Sequence, residues 1–306
     1  MLTTLYPTQA PTLDARYRAD RAQLPDTLAT RLGIATGEYA GEKLVAAAAD
    51  DGTAATPPLV PPATQPGEWR PTPNAFTPGL YTHYPQVRPF VLKSAAQFRS
   101  SPPPSVTSTT YRDALAEVKA IGSATSTTRT QAQTDTARFW SSPIHIYWNT
   151  ITQRVATDRH LSLQSAARAF ALMNLALADE TIAYYDSKWL YRLWRPVTAI
   201  RETSDPAWTP LVNTPADPSY PGAHSALSAA GAEVLEDVFH RDIPISATSP
   251  AVPGAIREYA HASDAAAEAG IARLWGGVHY RFDDPAGQKQ GRAVARYVAA
   301  RALEQR

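Results

Sequence analysis

The stretch SLQSAARAFALMNLALADETIAYYDSKWLYRLWRP, residues 162–196, contains no glycine, and its one proline is its last residue. It reads as one long helix or two closely joined ones. On such a helix Lys188 and Arg195 stand seven residues apart, two turns or about 10 Å along the axis at nearly the same azimuth, and present two cations to one point. Pro196 is expected to end the element, because it lacks an N–H and disfavours helical geometry at Arg195.

The chain around this stretch is also helical in character. Residues Tyr111 to Ile121 are stopped by Gly122, and Thr130 with Gln133 forms a capping box that opens a helix through Trp140. Further helices are expected over Ser225–Phe239, from about Ile256 to Trp275, and after Asp284 with Pro285 in the first turn. Alternating strand pattern is scarce, so the expected class is mainly α. Sixteen of the 27 prolines precede residue 105, which predicts an irregular N-terminal wrap pinned by Trp69, Phe76, Tyr81, Tyr84 and Phe90. The expected organisation is a single domain over 1–306, with the Pro-rich wrap over 1–110 and the helical core over 111–306.

Two more stretches carry chemistry. Asp217-Pro-Ser-Tyr-Pro221-Gly222-Ala223-His224 reads as a tight loop feeding a helix N-terminus, where free backbone N–H groups and the positive dipole end make an anion cradle. In Arg273-Leu-Trp-Gly-Gly-Val-His279-Tyr-Arg-Phe-Asp283, Arg273 closes an Ala-rich helix and Gly276-Gly277 breaks it. Asp283 is placed to accept the outward N–H of His279, which would fix its tautomer. Singly, each cation reads as a solvated helix face and each imidazole as a surface residue. Three cations and two imidazoles in this order suit one task, holding a tetrahedral oxyanion and moving protons at it.

Composition narrows the classes. A net charge of +1, from 29 basic and 28 acidic residues, gives no field for nucleic acid. The absence of cysteine excludes disulfides, thiolate catalysis and Cys metal sites. The most apolar run, Ala169 to Ala178, is half of what a bilayer needs, so no membrane partner is expected. His83, His145, His160, His240 and His261 show no paired metal spacing.

The three motifs resemble the superfamily that joins type 2 phosphatidic acid phosphatases, bacterial acid phosphatases and vanadium-dependent haloperoxidases, with its pattern K-x6-R-P, P-S-G-H and S-R-x5-H-x3-D. Gly-Val-His279-Tyr-Arg-Phe-Asp283 is most similar to the haloperoxidase branch, as are Arg129 to Thr134 leading into Phe139-Trp140, and Trp194 to Ile200; the similarity runs from about Gly67 onward. The resemblance implies a helical bundle holding vanadate, a site phosphate also fits. By resemblance Lys188, Arg195 and Arg273, with Gly222 and Ala223, would bind the oxyanion. His279 would be the axial metal ligand, His224 the acid–base residue, and Tyr185 and Asp217 would shape a halide pocket. The implied partners are hydrogen peroxide, halide, a small organic acceptor and a second copy in a homo-oligomer. The implied location is soluble, secreted or periplasmic with a leader removed.

The chain departs from the pattern where Gly222-Ala223 replaces Ser-Gly and Ala272 replaces Ser. A hydroxyl hydrogen bond to a charged group is worth about 1.5–3 kcal/mol, so weaker anion binding is expected and Gly222→Ser is expected to tighten it. Two other activities fit the same residues: an acid phosphatase working through a phosphohistidine at His279, and a non-catalytic phosphate binder.

Overall fold

The computed structural model describes residues 1–303 except 62 and 74, so those positions and 304–306 of the expected domain lie outside the described residues. Its chain forms two compact units, Met1–Thr56 and Pro57–Arg306, where one domain was expected. In the first, helices α1 (Leu2–Leu5), α2 (Ala10–Ala22) and α3 (Leu28–Ala48) fall within the region expected to be irregular. The correction has a plain cause: Pro11 lies in the first turn of α2, where its missing N–H costs nothing, and Pro25 lies between helices. Thr27 caps α3 by accepting the Thr30 N–H at 3.1 Å.

The second unit begins with the extended Pro-rich segment, now confined to residues 57–108. Helices α4 (Thr109–Ile121), α5 (Gln131–Phe139), α6 (Ile144–Asp158), α7 (Leu163–Tyr191), α8 (Pro196–Thr203) and α9 (Ala223–Phe239) follow. A two-stranded antiparallel sheet, β1 (Ile245–Thr248) and β2 (Ile256–Tyr259), pairs Ile245 with Tyr259. Helices α10 (Ala262–Trp275) and α11 (Asp283–Ala299) complete the bundle. The class is mainly α, and among the described residues no helix is long and apolar enough to cross a membrane.

Small residues on α9 let α7, α10 and α11 pack around it. A Cβ at Gly287 or Gly291 of α11 would collide with the backbone carbonyls of Gly222 or Ala226. Only glycine permits this approach, which brings the start of α11 beside the start of α9. The main apolar core joins Trp140, Tyr147 and Trp148 to the inner faces of α7, α9, α10 and α11.

Two expected elements differ. Residues 256–259 form a strand, because Arg257 and Tyr259 lie on one face and both reach Glu268, Arg257 at 3.0 Å and Tyr259 at 2.6 Å. Helix α7 stops at Tyr191, where Arg192 takes a left-handed conformation with φ 48°. The Pro-rich segment draws the chain out of the helix: Trp69 N–H donates to the Arg192 carbonyl at 2.6 Å and Trp194 N–H to that of Gly67 at 2.9 Å. Arg195 therefore caps α8, and Pro196 opens that helix at its first position instead of ending α7.

That segment is also fastened along α7. The Asp179 carboxylate accepts the N–H groups of Phe90, Val91 and Leu92 at 2.7, 2.8 and 2.9 Å, and Asp186 pairs with two nitrogens of Arg99. Trp69 is buried edge-on against Trp189, and Tyr81 and Tyr84 pack on Tyr185 of α7, whereas Phe76 and Phe90 are exposed and anchor less than expected.

Candidate active site

Lys188, in the last turn of α7, is fully buried. Its Nζ donates to the carbonyls of Pro218 and, at 3.1 Å, Ser219, and lies 3.8 Å from Asp217 Oδ2. Arg195 is equally buried. Its Nε donates to the Asp217 carbonyl at 2.7 Å, Nη2 to the Asp217 carboxylate, and Nη1 to the Val278 carbonyl at 2.7 Å. The seven-residue spacing predicts a shared helix face, but α7 ends at Tyr191, and the Asp217–Ser219 loop collects the two cations from separate elements. Asp217 pairs with both cations and partly neutralises them.

His279 follows the Gly276-Gly277 break, where Gly277 has φ +80°. Its Nδ1 lies 2.7 Å from Asp283 Oδ2, which also accepts the Ser219 hydroxyl at 2.5 Å and the Tyr280 N–H at 3.1 Å. A carboxylate partner assigns the proton to Nδ1, leaving Nε2 with a lone pair, 3.0 Å from Arg195 Nη1. Burial pushes the Asp283 carboxyl up to about 6, against the lowering effects of the Ser219 hydroxyl and Lys188.

Arg273 and His224 hang from one short segment after α5. Arg273 Nη1 reaches the Trp140 carbonyl at a long 3.4 Å, its Nε is buried without a hydrogen-bond partner among the described residues, and His224 Nε2 meets the Ser142 carbonyl at 3.1 Å. Tyr147 and Ser249 grip the same segment through the Phe139 carbonyl. Burial, then Arg273, holds His224 well below the usual imidazole range; burial, then Arg195, does the same for His279. His279 also feels the charges of Lys188 and Arg273, so the five side chains share one electrostatic field. Burial also lowers Lys188 to about 7, with Asp217 opposing, and Arg273 to about 10.

Gly222 needs correcting as an oxyanion donor: its N–H is donated to the Asp283 carbonyl at 3.0 Å. Ala223 is the first residue of α9, where N–H groups lack intrahelical partners and no positive φ is required. Tyr185 lies buried among Tyr81, Tyr84 and Tyr184, its hydroxyl pKa raised by burial and then by Tyr184 and Asp217. Arg192, between Lys188 and Arg195 in sequence, donates instead to the Pro61 carbonyl at 3.2 Å. Sequence reasoning missed Ser219 and the carbonyls of Trp140, Ser142, Pro218 and Val278. Backbone groups carry no signature in residue identity, and nothing in a serine's letter says where its hydroxyl points.

The residues fit a four-oxygen anion. Three buried cations face two carboxylates, leaving an excess of positive charge, Arg273 Nε has no hydrogen-bond partner among the described residues, and the start of α9 adds N–H groups. A neutral imidazole with its far nitrogen tied to a carboxylate is the usual form of a histidine metal ligand.

The family described as the VCPO second helical-bundle domain matches residues 168–306. Vanadium chloroperoxidase of Curvularia inaequalis is 25% identical over an alignment that covers 56% of this chain and 40% of that protein, so the chain spans about two fifths of the curated relative's length. A bacterial vanadium-dependent chloroperoxidase solved in its holo form shares the fold, with a TM-score of 0.78 at 16% identity over 97% of this chain and 78% of that one. The crystal structure of the first bacterial vanadium-dependent iodoperoxidase superimposes with a TM-score of 0.83 and 30% identity over 95% of this chain and 74% of that one. With that identity sustained across nearly its whole length, the chain belongs to the vanadium-dependent haloperoxidase family.

Proposed function

We propose that this protein oxidises a halide with hydrogen peroxide at a vanadate bound through His279, and passes the oxidised halogen to a small organic acceptor. The observation that carries this reading is the state of His279: Nδ1–H committed to Asp283, Nε2 unprotonated within the field of three buried cations. Bound vanadate supplies a Lewis acid at which peroxide oxygen becomes electrophilic toward halide. Lys188, Arg195 and Arg273 hold the anion's oxygens and draw charge from them. Arg195 Nη1, 3.0 Å from His279 Nε2, would donate to an oxygen of the anion. His224, with Nε2 on the Ser142 carbonyl, has Nδ1 left to take or return a proton. Ser219 and the Tyr280 N–H hold Asp283, and through it the imidazole plane.

The iodoperoxidase and chloroperoxidase likenesses support the reaction class. Its test is reconstitution with orthovanadate and bromination of monochlorodimedone by hydrogen peroxide, with iodide oxidation alongside and p-nitrophenyl phosphate hydrolysis in vanadate-free protein. Halide oxidation that His279→Ala abolishes and phosphate suppresses is expected. Phosphate ester hydrolysis that vanadate inhibits, without halide oxidation, would replace this reading with the phosphatase one.

A further inference from the structure

A cavity of about 520 Å³ lies outside the oxyanion site, between one face of α11 and residues 97–101 of the Pro-rich segment. Its walls include Tyr220 and Phe282, the neighbours in sequence of Ser219 and Asp283, so it adjoins the residues that hold His279. The aromatic wall is fixed in place: Phe282 stacks on Tyr280 with centroids 5.2 Å apart and packs at 6.1 Å against Tyr220. From α11, Ala286 and Ala293 leave room rather than filling it, and Lys289 stands between them on the same face.

The polar groups of the walls are mostly committed within the protein. Tyr220 donates its hydroxyl to the Ser101 carbonyl at 2.6 Å, and Gln290 Nε2 bonds to the Phe98 carbonyl at 3.0 Å and Ser187 Oγ at 3.1 Å. Arg99 gives Nε and Nη2 to Asp186, which neutralises it. The uncompensated charge is Lys289, which has no carboxylate within 4.0 Å among the described residues. Among the described residues no Asp or Glu lines the cavity.

We propose that this cavity binds a small planar aromatic carboxylate, its ring against Phe282 and Tyr220 and its anionic group at Lys289. The volume is in the usual range for small-molecule sites, apolar walls with a few convergent polar groups are their common form, and an unpaired cation at the rim selects an anion over a neutral ring. The site is independent of the halide-oxidising reading and requires neither vanadate nor peroxide.

The test titrates 2-naphthoate into the full chain without vanadate, followed by saturation-transfer NMR and calorimetry. Saturable binding is expected, weakened about tenfold by Lys289→Ala and more by Lys289→Glu, and about tenfold weaker for neutral 2-naphthylmethanol. Ala293→Trp, which fills the cavity, is expected to abolish it. Absence of saturable binding, equal affinity for the neutral analogue, or unchanged affinity in either Lys289 variant overturns the proposal; both Lys289 changes are on the surface and leave the fold intact. Because the readout is binding, its failure leaves halide oxidation untouched, and a failed halogenation assay leaves this result standing.

Discussion

Lys188 shows how strongly one position is shaped by its surroundings. Its ammonium is buried among other cations, and burial lowers it to about 7. An anion favours the protonated form, so binding becomes linked to proton uptake as pH rises through 7 and affinity falls. Sulfate, whose charge is constant over this range, is expected to raise the melting temperature below pH 7 and to do so progressively less above it; a constant shift on both sides would refute the linkage. Ser219 is a second such position. Removing its hydroxyl leaves Asp283 short of a donor in a dry site, and Ser219→Ala is expected to cost about 1.5–3 kcal/mol in urea unfolding. Gly222→Ser reverses the expectation from sequence. A Cβ there would lie 3.0 Å from Ser225 Oγ and 3.2 Å from the Asp283 carbonyl, crowding the contact between α9 and α11. The variant is expected to melt at lower temperature with no gain in sulfate affinity, and tighter binding would show that the helices yield. The cations and imidazoles of the candidate site stand out in the sequence by type and order; the hydroxyl and carbonyls beside them carry no such signal.

Among the elements, α7 was found from its lack of breakers, and its N-cap at Ser162 holds the Ser165 N–H at 3.1 Å. The capping box at Thr130 and Gln133 is likewise present. Its C-terminus was misplaced because the cause lies more than a hundred positions away, in the pairing of Gly67 and Trp69 with residues 192–194. Local propensity cannot report a partner so remote. The sheet was missed for a related reason: four residues with Ala-rich sequence beyond them look like a helix start until Glu268 is seen to gather Arg257 and Tyr259. Asp179 offers the test at this scale. It is the single acceptor for three consecutive N–H groups, so Asp179→Ala is expected to destabilise the protein by about 3 kcal/mol and to open residues 88–93 to limited proteolysis. Resistance equal to that of the parent would show that Arg99 and Asp186 suffice.

At the level of the whole molecule, class was readable from helix signals and the wrap from proline count, but the first 56 residues were not. Their prolines fall where helices tolerate them, so composition and structure part company. All the site residues, and the apolar clusters of the core, belong to residues 57–303. Deleting residues 1–56 is therefore expected to leave sulfate affinity unchanged, measured by calorimetry; a large loss would place a contribution from the first unit in the site.

The backbone pairing that takes Arg195 off α7 has a kinetic consequence. Gly67 must meet Trp194 across a long intervening chain, and a contact of such wide separation forms against a large closure entropy. Helical content is therefore expected to recover early in refolding, while competence to capture sulfate appears later, when that distant junction zips shut.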